Sequence, residues 1–70
     1  MKQVVSSMAG NVWKVLVSSN DKVELDQEII ILESMKMEIP ITAEIEGTVK
    51  EIKVKEGDFV NEGDVIIEVM

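Results

Sequence analysis

The chain has no His and no Cys. Imidazole acid–base catalysis, thiolate nucleophiles and the commonest zinc ligands are therefore all absent. What remains for chemistry is 14 carboxylates and 7 basic groups, the latter all lysines. Carboxylates and amines can cooperate in a cleft, but 70 residues leave little material from which to build one. The chain is not expected to be an enzyme by itself, and no metal site is expected. One lysine is set apart: Lys36 stands between two methionines in the run Glu33-Ser34-Met35-Lys36-Met37-Glu38. A lysine amine can be acylated, but only when neutral. A solvated lysine titrates near 10.4, so about one amine in two thousand is neutral at pH 7. No His lies near Lys36 to act as its base, so acylation there must draw its base from a second protein.

Charge and composition narrow the partners. A net charge of −7 lacks the basic footprint that nucleic-acid binding needs. No apolar run approaches the roughly 18 residues of a membrane span, and residues 1–7 lack the apolar core of a signal peptide. Together with the absence of Cys, this predicts a cytoplasmic protein with no nucleic-acid or membrane partner. The length allows one domain, residues 1–70, at the lower edge of what a core can support without disulfides or metals.

The elements that must position Lys36 show themselves in an internal repeat. At an offset of 37 residues, Gly10 falls on Gly47, Val12 on Val49, Val17 on Val54, Asp21 on Asp58, Val23 on Val60, Ile29 on Ile66 and Ile30 on Ile67. Val15/Ile52 and Leu32/Val69 are conservative matches in the same frame. Two copies are too few for a solenoid, so two similar halves packed face to face, as a sandwich or flattened barrel, are expected. Each half carries a Val/Ile-rich strand (residues 11–17 and 48–54), a turn, a short apolar step at Val23 or Val60, a second turn, and a closing strand (residues 29–32 and 65–69). Short β-branched runs with turn signals every eight to twelve residues read as all-β, and no helical stripe competes. Gly57 and Gly63 fall on Asn20 and Asp26. Gly, Asn and Asp are the residues that best tolerate positive φ, so left-handed turns are expected at the same two places in both halves. Trp13 falls on Lys50, which predicts a Trp that is partly exposed or at the edge of the core.

Residues 28–43 read as one strand, yet a strand usually runs five or six residues. The repeat sets the fold-back point: residues 29–32 match residues 66–69, which end beside Met70, so the turn falls within Ser34-Met35-Lys36-Met37. A two-residue turn at Met35-Lys36 pairs Ser34 with Met37, Glu33 with Glu38 and Leu32 with Ile39. It also sets Pro40, which cannot donate to a ladder, opposite Ile31. This turn breaks local rules. Met and Lys are poor residues for positive φ, and two glutamates face each other across the strands. Rules broken together at one protruding place point to function. The tip offers two soft, adaptable methionines around an amine that another protein's active site can reach. Pattern alone also allows a merely solvated lysine, with Met35 and Met37 in the core of a continuing strand.

The run Glu33-Ser34-Met35-Lys36-Met37-Glu38 resembles the attachment motif of biotinyl domains, centred on Met-Lys-Met. Met8-Ala9-Gly10 and the turn Glu56-Gly57-Asp58-Phe59-Val60-Asn61-Glu62-Gly63-Asp64 resemble the same family, so the likeness covers essentially the whole chain. It is closest to small stand-alone biotin/lipoyl attachment proteins and to biotin carboxyl carrier domains. The resemblance implies a barrel-sandwich hybrid: a flattened barrel of two four-stranded antiparallel sheets with pseudo-two-fold symmetry. It implies that biotin protein ligase attaches biotin to Lys36, and that the carrier then serves biotin carboxylase and carboxyltransferase partners. Met35 and Met37 would be read by those enzymes, with Glu33, Ser34 and Glu38 as the flanks of the hairpin. A lipoyl or dual biotin/lipoyl carrier shares the fold and the lysine; the flanking methionines favour biotin. An unmodified docking domain is the rival from another class. The sequence departs from the family in three ways. It lacks prolines around Met8-Ala9-Gly10, it has Asn20 and Asp26 where Gly is usual, and it lacks an inserted thumb.

Overall fold

A computed structural model describes residues 2–70; Met1 lies outside the described residues. Eight strands run in chain order: β1 (Lys2–Val5), β2 (Gly10–Val15), β3 (Lys22–Val23), β4 (Glu28–Ser34), β5 (Met37–Thr42), β6 (Gly47–Ile52), β7 (Phe59–Val60) and β8 (Val65–Val69). They form two four-stranded sheets, ordered β1-β8-β6-β3 and β5-β4-β2-β7, and every pairing is antiparallel. The fold is all-β, as the sequence predicts, with the two four-stranded antiparallel sheets that the resemblance implies.

The offset of the repeat maps one sheet onto the other, with β1, β2, β3 and β4 falling on β5, β6, β7 and β8. The halves do not each form a sheet, however. Each sheet takes two strands from each half, so the repeats interleave instead of stacking face to face. Interleaving lets the apolar strands β4 and β8 sit inside different sheets, where each is covered on both edges. They supply Ile29, Ile30, Leu32, Ile66, Ile67 and Val69, all without exposure, and Val12 and Val49 close the core beside them. Burying each such side chain stabilises the fold by about 1.5–3 kcal/mol.

The turns repeat as closely as the core. Asn20, Asp26, Gly57 and Gly63 all have positive φ, at 76°, 67°, 96° and 91°. The Asp21 and Asp58 carboxylates accept the amides of Ser18 (2.8 Å) and Lys55 (3.0 Å). Gln27 and Asp64 accept those of Glu24 (2.9 Å) and Asn61 (2.8 Å) in the same way. Ser6 and Ala43 hold equivalent places: the Ser6 amide donates to the Asp64 carbonyl and the Ala43 amide to the Gln27 carbonyl, both at 2.8 Å.

Two features lie beyond the sequence reading. Strand β1 is the counterpart of β5, with Val4 matching Ile41, both buried. Trp13 and Lys50 are extra residues in bulges: β2 slips against β4 between Val12 and Lys14, and β6 slips against β8 between Val49 and Glu51. The bulges end the ladders earlier than the apolar pattern does. Val17 and Val54 leave the strands, though Val17 stays buried and Val54 packs against the core.

Candidate functional site

Strands β4 and β5 meet in a two-residue turn at Met35 and Lys36, with φ of 53° and 64°. Positive φ at both central residues is the geometry of a type I′ hairpin, whose twist matches that of the strands. The register pairs Ser34 with Met37, Glu33 with Glu38, Leu32 with Ile39 and Ile31 with Pro40, as the repeat predicts. Asn-Gly would make this turn without strain; Met and Lys in the left-handed region cost on the order of 1 kcal/mol each. The buried pairs below hold the turn in place, since Leu32 and Ile41 are anchored in the core.

The tip stands in solvent. Met35 is 91% exposed and Met37 61% exposed, so neither methionine is a core residue. Lys36, Glu33 and Glu38 are exposed and Ser34 is half-buried. Among the described residues, the Lys53 ammonium bridges Glu51 and Glu68, and neither bridge engages Lys36. The geometry presents one primary amine on a rigid hairpin, ringed by two polarizable apolar side chains and two carboxylates, and open to an approaching active site. Trp13 is 41% exposed, and the Lys14 ammonium lies over its ring, 5.0 Å from the centroid. Phe59, the other aromatic residue, is 61% exposed. Its signal was its match to Lys22 in the repeat, which argues against a core position.

A pseudo-symmetric β-sandwich with a single lysine on a strained hairpin is the form of a carrier domain, which presents a covalently held group to other proteins. Residues 2–69 match the family model described as Biotin-requiring enzyme. The chain belongs to the biotin/lipoyl attachment family. It is 67% identical over 61 residues to the Biotin/lipoyl attachment protein of Bacillus subtilis (strain 168), covering 87% of this chain and 84% of that one. Its fold is similar to part of the urea carboxylase of Kluyveromyces lactis, with a TM-score of 0.89 and 33% identity, over 99% of this chain and 6% of that one. It is also similar to the lipoyl domain of the 2-oxoglutarate dehydrogenase complex from Azotobacter vinelandii, with a TM-score of 0.71 and 27% identity, over 89% of this chain and 78% of that domain. The chain is thus a small, non-catalytic carrier domain for covalently held biotin or lipoate.

Proposed function

We propose that Lys36 is the attachment residue, that biotin is the group it carries, and that the domain is a biotin carboxyl carrier serving biotin carboxylase and carboxyltransferase partners. The observation that carries this reading is the hairpin tip: an exposed lysine at positive φ between two exposed methionines, in a chain of the attachment family. A primary amine in open solvent fits a group bound through an amide, because nothing on the domain obstructs the acylating enzyme. Biotin protein ligase supplies the base and the activated acyl group. The Lys36 Nζ gives up a proton, attacks the acyl carbonyl of the adenylate and forms the amide as AMP leaves. When bound, biotin supplies a site that accepts a carboxyl group in one enzyme and yields it in another. The domain contributes position: the stiff hairpin and the flexible lysine stem raise the effective concentration of the carried group at any docked active site.

Lipoate is the second reading. It is favoured by the likeness to the Azotobacter vinelandii lipoyl domain and by the name of the Bacillus subtilis relative, which covers both groups. The test is the intact mass of the chain after incubation with biotin protein ligase, ATP and biotin, and separately with a lipoate ligase, ATP and lipoate. A biotin-sized increment with the first supports the reading. An increment only with the second transfers the function to acyl carriage, and an increment with neither leaves an unmodified docking domain.

A further inference from the structure

The internal repeat provides a control for the surface. Inside, the two halves agree: Val12 matches Val49, Ile29 matches Ile66, and Ile30 matches Ile67, all buried. On the outer faces of the two sheets they disagree. On the sheet that carries the Lys36 hairpin stand Trp13, Phe59, Ile31 and Pro40; at the equivalent places on the other sheet stand Lys50, Lys22, Glu68 and Gln3. The pairs Thr42/Val5, Glu28/Val65 and Glu33/Met70 run the other way, at or next to strand ends. If solubility alone governed these positions, both faces would be polar.

The apolar residues on the hairpin sheet are neighbours. Phe59 pairs with Asn11, and exposed Asn11 and Trp13 alternate with buried Gly10 and Val12, so all three exposed side chains point outward. Trp13 lies about 7 Å along the strand and about 5 Å across from Phe59. The pairing Lys14 to Ile31 to Pro40 continues the patch across β4 and β5. Glu33 and Glu38 lie in the row of Asn11 and Phe59, two residues below the tip. The face therefore combines an aromatic-rich centre, in which the Lys14 ammonium lies over the Trp13 ring, with an acidic margin toward Lys36, which fits a protein surface with an apolar recess and basic groups beside it.

We infer that this face is the docking surface for the ligase that acylates Lys36, an inference that rests on the attachment reading above. Reach selects this occupant. An enzyme that acts on the amine must bring its catalytic centre to the hairpin tip, so its walls cover the adjoining sheet face. An enzyme that acts on the far end of the carried group stands off by the length of the arm. A second copy of the chain would meet the like charges of Glu33 and Glu38.

The test replaces Trp13 and Phe59 by the residues of the other sheet, Trp13→Lys with Phe59→Lys, in the full chain. Ligation by biotin protein ligase is followed by mass, and the Kd of the unmodified chain for the ligase is measured directly. The KM and Kd are expected to rise about tenfold with kcat within about twofold, the mark of lost uniform binding. Thermal melting checks the fold, and Phe59→Ser, a single change at an exposed position, is expected to raise KM by itself. Glu33→Gln with Glu38→Gln is expected to raise KM and flatten its salt dependence. Gln3→Lys on the opposite sheet leaves KM unchanged. An unchanged KM in the folded double variant, with wild type labelled normally, overturns the docking inference alone. So does a wild-type dimer that the double variant dissociates without a change in KM. A wild-type chain that the ligase does not label overturns the attachment reading and this inference together.

Discussion

At the residue scale, the tip trades stability for presentation. Lys36 holds φ of 64° without being Gly, Asn or Asp. Lys36→Gly is accordingly expected to stabilise the domain by about 0.5–1 kcal/mol in chemical denaturation while abolishing acylation. A loss of stability would show that the lysine stem supports the fold. Met35→Ala and Met37→Ala should change stability by less than about 0.5 kcal/mol, because both side chains are exposed. Both should slow ligation, since their apolar surface is what an enzyme at the tip would read. Equal ligation rates in these variants and wild type would remove the methionines from recognition. The tip was legible in the sequence because the repeat located the end of β4; no turn residue marked it. What pattern could not decide was whether Met35 and Met37 were core or surface, since apolar residues next to a strand end suit either.

At the element scale, close packing and charge make separate predictions. A Cβ on Gly47 would come within 2.5 Å of the Met70 carbonyl oxygen and of Val69 Cγ1, so β6 can approach the end of β8 only without a side chain there. Gly47→Ala is expected to cost about 1–3 kcal/mol, read from the shift of the denaturation midpoint, whereas Gln3→Ala on the exposed edge of β1 should cost almost nothing. After β6, the Lys53 ammonium donates to Glu51 at 3.1 Å and lies 3.4 Å from Glu68 of β8. The hydrogen bond and charge of Glu51, followed by the charge of Glu68, raise the Lys53 pKa above the ordinary 10.5. A raised value in the folded state contributes stability that is fully present below the ordinary lysine value and lost as pH climbs through the folded one. The Tm advantage of wild type over Lys53→Gln should therefore be small, constant across neutral pH, and fade above about pH 10.5. An advantage that grew with pH would contradict this. The bulges at Trp13 and Lys50 were hidden from the sequence because one extra residue in a strand leaves the apolar composition unchanged while shifting the register. Strand β1 was hidden because its four residues hold a single buried side chain, Val4.

At the scale of the whole molecule, the fold amounts to one supersecondary unit used twice and interleaved, with the hairpin β4–β5 joining the copies. The sequence showed the copies because both cores need the same residues at the same places, and both turn pairs need left-handed residues. It did not show the interleaving, since an offset says which positions are equivalent and not which strands pair. The same symmetry separates what the fold requires from what it leaves open: core and turns repeat, whereas Lys36, the methionines and the apolar outer face do not. Lys36, the methionines, Trp13 and Phe59 all lie on one sheet, the one that carries the tip. The domain is then a scaffold for a single amine, and no ligase should touch the other six lysines. The most direct test is a tryptic peptide map by mass spectrometry after ligation with biotin protein ligase and biotin. One biotin-sized increment is expected, on the peptide spanning Lys36, with trypsin failing to cut there and no labelling of Lys36→Arg. An increment on any other lysine, or a labelled Lys36→Arg chain, would contradict it.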